Sequence, residues 1–465
     1  MRLLILLMTL ALGAHASEWL QFRGPNAAGL GQAEAPPARL DPETNLLWKT
    51  AVPPGHSSPV ITQDRIFLTA IDGEGLWTIA LDRASGQELW RRQAPRPRQE
   101  QTHKENNAAA ASPASDGSTV YVFFGDYGLL AYSADGDELW RLPLGPFHNQ
   151  MGMSASPILV DGKLILALDD DLHSSMIALD KTNGEMLWRA DRAEFTRSFG
   201  TPVVYRPAEG PAEILIPGAF QLAGYSAETG EKLWWARGLC WQPKAVAALG
   251  EGMAYAHCWA AGGDAPPERT YPGFAEALAE LDANHDGAIA KAELYPDLQK
   301  NFGGFDLDDD KKLGERDWAY LQAKTSSQNA LMAVRLGGRG DVTDTHVAWT
   351  HRKSLPNVAS PLVYDGVVYL VKDGGIATAL DAQTGDVLKM GRLPEAMDKY
   401  FASPVAAGGR VYFFDASGVL TVVNAGAQWS VLQTLAFGEG GNATPALLDG
   451  RVYIRTQEHV YCFGE

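Results

Sequence analysis

Oxygen-bearing side chains fall at alternate positions in Asp282-Ala283-Asn284-His285-Asp286-Gly287-Ala288-Ile289-Ala290-Lys291-Ala292-Glu293. This is the spacing of a twelve-residue calcium loop. Asp282, Asn284 and Asp286 present hard oxygens at loop positions 1, 3 and 5, the Ala288 carbonyl adds another, and Ala290 acts through water. Glu293, at the last position, is long enough to give both carboxylate oxygens to the ion, while Gly287 permits the sharp turn between them. Ile289 is placed to pair with a partner loop.

A second copy begins 24 residues on, with Asp306, Asp308 and Asp310 in the same places, the Lys312 carbonyl after them and Asp317 at the end. It departs twice. Lys311 stands where the turn favours glycine, so a left-handed backbone there carries a steric cost. Asp317 is one methylene shorter than glutamate, which makes bidentate closure harder. Weaker binding is expected, with this loop filling once the first has ordered. Ahead of the first loop, Phe274, Leu278 and Leu281 form one face of a short helix. Residues 265–327 are therefore expected to be a compact inserted module resembling a paired EF-hand, acting as a structural clip because an exported protein meets steady calcium.

The remaining chain is a repeat. Ser/Thr-Pro pairs ending at Pro59, Pro113, Pro157, Pro202, Pro361, Pro404 and Pro445 recur at spacings of 41 to 54 residues, except for one gap of 159. That gap holds the insertion and a degenerate copy, assigned to Gln242-Pro243. After each anchor come a tight turn (Asp116-Gly117, Asp161-Gly162, Asp365-Gly366), a β-rich run, a second glycine turn and a Leu-Trp or similar pair. Four short strands per repeat of this length predict β-propeller blades, which bury their faces only against neighbours. Copies starting near Ser57, Ala111, Ser154, Gly200, Cys240, Val358, Phe401 and Asn442 make eight blades. The last copy lacks a fourth strand, and Leu46-Leu47-Trp48-Lys49 supplies it, closing the ring. Trp48, Trp90, Trp140, Trp188, Trp234 and Trp349 share one slot and are expected to fill wedges between blades.

The stretches Ile-Ala-Leu-Asp-Lys-Thr-Asn-Gly-Glu-Met-Leu-Trp (177–188) and Thr-Ala-Leu-Asp-Ala-Gln-Thr-Gly-Asp-Val-Leu (378–388) resemble the repeat of the pyrroloquinoline-quinone (PQQ)-type propellers. Trp19-Leu20-Gln21-Phe22-Arg23-Gly24-Pro25 further resembles the opening of exported PQQ-like repeat proteins. The resemblance implies an all-β, eight-bladed fold and covers nearly the whole chain outside the insertion. It does not choose an activity, because the family includes both quinoprotein alcohol dehydrogenases and the non-catalytic outer-membrane assembly factor BamB.

In a propeller the loops leading into the innermost strands converge on one mouth of the central channel. Here they carry His56, His103 with Asn106 and Asn107, His148 with Asn149, Arg197, Trp241 with Lys244, Asn357, Tyr400 and Asn442. This polar set with an aromatic suits a ligand pocket and includes the candidate cofactor-binding residues. The resemblance to quinoprotein dehydrogenases also implies an adjacent Cys-Cys pair against the cofactor, which this chain lacks. No Ser-His-Asp order, phosphate loop or zinc spacing stands out.

The sequence has 465 residues with a formal net charge of −17, which disfavours nucleic-acid and anionic-membrane partners. Arg2, the apolar run Leu3 to Leu12 and Ala14-His15-Ala16 read as an export signal over residues 1–16, too short to span a bilayer. The propeller is assigned to 17–264 and 328–465. Cys240 and Cys258 are expected on adjacent strands. An export compartment allows a bridge between them, although simple hairpin counting sets them on opposite faces. The reading favoured is an exported, periplasmic or secreted, calcium-binding PQQ-like propeller with a non-enzymatic binding or scaffold role toward protein or saccharide. The alternative is a PQQ-dependent alcohol or sugar dehydrogenase.

Overall fold

Each repeat folds into an antiparallel sheet because alternating apolar residues meet glycine turns at hairpin spacing. In blade one the strands are Val60–Ile61, Arg65–Asp72, Gly75–Asp82 and Glu88–Ala94, in that spatial order from the channel outward. The computed structural model describes residues 18–31, 34–267 and 269–465, and the proposed signal segment 1–16 lies outside them. Eight such blades form the ring. Blade eight consists of Ala446–Leu448, Arg451–Arg455, His459–Phe463 and, as its outer strand, Leu46–Ala51, with Trp48 opposite Cys462. The two ends of the chain thus share one sheet, as the circular count of strands requires.

The recurring Ser/Thr-Pro pair has a specific task. The Ser58 amide donates to the Ser112 hydroxyl at 2.8 Å, Ser112 to Ser156 at 2.9 Å and Ser156 to Thr201 at 3.0 Å. The belt continues from Val246 to Ser360, Ser360 to Ser403, Ser403 to Thr444 and Thr444 back to Ser58, each at 2.9 to 3.0 Å. Every blade is therefore tied to the next beside the channel, except from Thr201 to Val246, since valine carries no hydroxyl. The degenerate anchor is accordingly Val246-Ala247. Gln242-Pro243 belongs to the loop before it, and reading proline as the marker misplaced it by four residues.

The tryptophans link the blades at larger radius. Trp90 donates to the Ala134 carbonyl at 2.8 Å, Trp140 to Lys181 at 3.0 Å and Trp349 to Ala382 at 3.1 Å, each in the following blade. The ring also lies flat on that blade's turn glycine: a Cβ on Gly136 would sit 2.8 Å from Trp90, and one on Gly184 would sit 2.7 Å from Trp140. Trp234 differs, donating within its own blade to Glu213 at 2.8 Å. Blade five's last turn is an excursion whose Gly340–Asp341 adds a parallel fifth strand to blade four, against Trp234 and Trp235. Where the slot lacks tryptophan, substitutes fill it. Lys389 sits 4.6 Å from the ring of Trp429 in the next blade, and Gln433 bonds both the amide and the carbonyl of Leu40.

The amino-terminal stretch crosses the face opposite the mouth. Trp19 pairs with Ile61 of blade one, the Leu20 carbonyl accepts from Ser115 of blade two, Asn26 brackets Val204 of blade four, and Gly29 and Gly31 bond Ala406 of blade seven. It satisfies inner strands whose central edges would otherwise be bare. Arg23, fully buried, donates to the Pro361 carbonyl at 3.0 Å.

The insertion leaves blade five after Met253–Cys258 and returns at Ala330–Arg335. Asn329 staples its neck: its side chain accepts from the Ala260 amide at 2.7 Å and donates to the Ala260 carbonyl at 2.9 Å. The module has its own core around Ile289, Leu294, Phe302, Leu313, Trp318 and Leu321. Helix α1 (Phe274–Leu281) and helix α2 (Glu315–Ser326) flank the two loops. Cys240 and Cys258 are disulfide-bonded, with Cα atoms 5.5 Å apart. Hairpin counting fails because Cys240 lies in the loop before the blade's first strand, Ala248–Gly250, rather than on that strand.

Candidate functional site

The hydroxyl belt forms the waist of a cavity of about 460 Å³ that opens at the mouth and ends on Phe22, contributed from the far side by the amino-terminal stretch. Ser58, Ser112, Ser156, Thr201 and Thr444 line it at that depth. Above them, Phe199, Trp241, Trp259 and Phe401 supply apolar walls, while His56, His103, Asn106, Lys244, Asn357 and Asn442 supply polar groups.

Those polar groups pair with one another. Lys244 Nζ donates to Asn357 Oδ1 at 2.9 Å and to the Trp259 carbonyl at 3.2 Å. Burial pulls its ammonium down to about 8, only partly countered by Asp373. The Asn442 amide meets His56 Nε2 at 3.1 Å. Burial, reinforced by Arg455, holds His56 neutral down to about 4. Glu105, the carboxylate of the rim, is tied to Lys399 from the loop before blade seven and lies below its usual range because of that ammonium. Among the described lining residues Lys244 is the one Lys or Arg.

Of the candidates read from sequence, His56, His103, Lys244, Trp241, Asn357 and Asn442 come together around this cavity. Asn106 lines it as well, and five candidates do not. Asn149 is buried in its own loop, where its Oδ1 accepts from the Met151 amide at 3.0 Å. Asn107 accepts from the Ala109 amide at 2.9 Å and shapes its own loop, and His148 is exposed. Arg197 is buried against Asp171, with Nε 2.8 Å from Oδ1. Tyr400 turns into the packing between blades six and seven, its hydroxyl donating to the Ala396 carbonyl at 3.1 Å, and the adjacent Phe401 faces the cavity instead. Sequence reasoning placed the loops but not which side chain of each loop turns inward. Phe22, Trp259 and the hydroxyl belt went unread as lining; the Ser/Thr before each proline was the available signal.

The two calcium-type loops have matching backbones. Asp282 accepts from the amides of Asp286 (3.2 Å) and Gly287 (3.0 Å), and Asp306 accepts from Asp310 (3.2 Å) and Lys311 (3.1 Å). Glu293 reaches back to the Ala283 amide at 3.1 Å, and Asp317 to the Leu307 amide at 3.0 Å. Ile289 pairs with Leu313 and Ala290 with Lys312, joining the loops as a short antiparallel ladder. Ala288 and Lys312 occupy the seventh positions, where a carbonyl would be the ligand. Lys311 adopts φ +73°, the left-handed value expected for a glycine, as Gly287 does at +85°. Carboxylate oxygens of Asp306, Asp308 and Asp310 lie within 4.8 Å of one another. The loop's lysines turn elsewhere, Lys311 to Asp309 and Lys312 to Asp286. Asp306 is pushed up first by burial and then by its acidic neighbours, as is Asp317.

Ring closure, inter-blade hydroxyl belt and tryptophan docking define an eight-bladed propeller of the PQQ-repeat class. The chain belongs to the family described as outer membrane protein assembly factor BamB, whose model matches residues 38–151, 77–237 and 303–465. Similar solved structures include BamB from Moraxella catarrhalis, at 13% identity and TM-score 0.55, covering 90% of this chain and 98% of that one. A quinohemoprotein alcohol dehydrogenase from Pseudomonas putida aligns at 12% identity and TM-score 0.56, covering 96% and 80%. The computationally designed Ika8 protein aligns at 12% identity and TM-score 0.55, covering 90% of this chain and 100% of that one. No curated protein matches the sequence. Among the described residues no helix is long and apolar enough to cross a membrane.

Proposed function

We propose that this is an exported, calcium-binding, non-catalytic propeller whose channel-mouth cavity holds a small polar group with an apolar face, such as a saccharide ring or a peptide side chain. The observation that carries this reading is the mutual pairing of the cavity's polar groups. Lys244 is held by Asn357, and neutral His56 by Asn442, beneath aromatic walls. Amides and indoles suit stacking and hydrogen bonding, and no nucleophile stands beside a base in this set. Export is supported by the apolar segment after Arg2 and by the Cys240–Cys258 bridge. Calcium is supported by the paired loop geometry, with Asp282, Asn284, Asp286, the Ala288 carbonyl and Glu293 as the stronger set.

The alternative is a PQQ-dependent dehydrogenase, favoured by the aromatic walls of the cavity. The residues fit that cofactor poorly. Its three carboxylates would meet one ammonium, the rim carboxylate is already occupied by Lys399, and no adjacent cysteine pair exists.

Titrating the protein with PQQ and calcium, while following tryptophan fluorescence, separates the two readings. Absence of quenching at cofactor excess, together with calorimetric binding of an oligosaccharide or peptide that Trp241→Ala weakens at least tenfold, is the expected result. Saturable micromolar quenching lost in Lys244→Met would put the dehydrogenase ahead.

A further inference from the structure

The inserted module is not a remote appendage, because helix α2 rests on the cavity wall. Lys324 Nζ lies 4.1 Å from the ring of Trp241, and Tyr320 meets the same indole edge-on at 6.4 Å. Tyr320 also packs on Phe220 of blade four at 6.2 Å. Lys324 is fixed from the other side by the Gly304 carbonyl, at 3.0 Å, in the segment between the two calcium-type loops. Asp317, the last residue of the second loop, is at the same time the third residue of α2. Asp317, Tyr320 and Lys324 stand at i, i+3 and i+7, neighbouring positions along one side of a helix. Chelation geometry and the indole contact thus sit about two turns apart on one rigid helix.

From this we infer that the second loop is a calcium-dependent prop for the cavity. Metal held by Asp306, Asp308, Asp310 and Asp317 fixes the start of α2, and α2 holds Trp241 against the mouth through Tyr320 and Lys324. Without metal, mutual repulsion among these carboxylates loosens the start of the helix, and Trp241 loses its backing. The inference rests on the calcium reading above and adds to it which loop controls the cavity and through which wall.

The test uses the full chain and two separate readouts. Terbium luminescence reports metal in the loops. Acrylamide quenching of Trp241, isolated as the difference between wild type and Trp241→Phe, reports the wall. Calcium is expected to lower that quenching at least twofold. Asp317→Asn should abolish the protection while the first loop still binds terbium. Lys324→Met, which leaves every proposed ligand in place, should also abolish it with both loops filled, and Tyr320→Leu serves where Lys324→Met shifts the melting temperature. Metal binding with unchanged Trp241 quenching would overturn the prop and leave the calcium reading standing. Absence of terbium binding in every form would overturn both.

Discussion

On the proposed calcium reading, Lys311 is the side chain that sets the strength of the second loop. Its backbone is left-handed at φ +73°, a conformation that costs a non-glycine residue roughly 1 kcal/mol. Lys311→Gly is therefore expected to stabilise the loop by about that amount and to tighten calcium binding there several-fold, measurable by calorimetry with the first loop blocked by Glu293→Gln. Two histidines, His257 buried and His56 partly buried beside the cavity, contribute to the response to acid. His56 and His257 both titrate near 4 rather than near 6.5, chiefly because burial disfavours their charged forms. The unfolded chain then binds more protons than the native one between those values. Stability rises with pH across that window, is fully present above about 6.5 and is lost as pH falls toward 4. Across the whole window the buried His257 contributes on the order of 3 kcal/mol by linkage, and the partly buried His56 less. Urea midpoints at pH 7 and pH 4.5 should differ less in His257→Gln than in wild type; an unchanged difference would contradict the assignment.

Between residues and ring stand the inter-blade links, and they differ in what they contribute. Ser156 gives the belt one hydroxyl, so Ser156→Ala should cost about 1 kcal/mol, the usual net worth of a hydrogen bond. Trp140 fills a wedge and lies on Gly184, so Trp140→Ala should cost about 3–5 kcal/mol, the range for removing a large aromatic from a packed site. A reversal of that order in chemical unfolding would mean that the belt, not the wedge, holds neighbouring blades together. Most of this level was legible in the sequence because it is periodic. Glycine turns, Leu-Trp pairs and Ser/Thr-Pro anchors recur at fixed offsets, and the eight blades, the closing strand and the insertion point follow from counting. The rest was hidden because it breaks the period. Val246-Ala247 replaces an anchor without resembling one. Gln433 and Lys389 occupy tryptophan slots with partners that only tertiary structure brings near. Which loop side chain faces the cavity depends on local backbone direction, so Phe401 and Tyr400 exchange roles. The Cys240–Cys258 bridge escaped hairpin counting for the same reason, since one of its cysteines lies outside the ladder.

At the scale of the whole molecule, the amino-terminal segment performs two tasks that can be separated. Residues Leu46–Ala51 complete blade eight, so the ring has no open seam. The stretch before them, from Trp19 to Gly31, spans the far face, binds inner strands of blades one, two, four and seven, and contributes Phe22 as the cavity floor. A chain starting at Asn45 keeps the closing strand and loses the cross-brace. It should still unfold in one transition at a lower temperature, and its cavity should become a through-channel, with tryptophans near the waist more open to acrylamide. A chain starting at Val52 also loses the closing strand, leaving the outer edge of His459–Phe463 bare. Each blade buries its faces only against neighbours, so an open seam leaves the terminal blades supported on one side. Unfolding should then broaden or split, with a smaller dependence on urea concentration than wild type because the transition is no longer two-state. If both truncations melt alike, the ring is held by the cross-brace rather than by its seam, and closure contributes less to this propeller than its strand pairing implies.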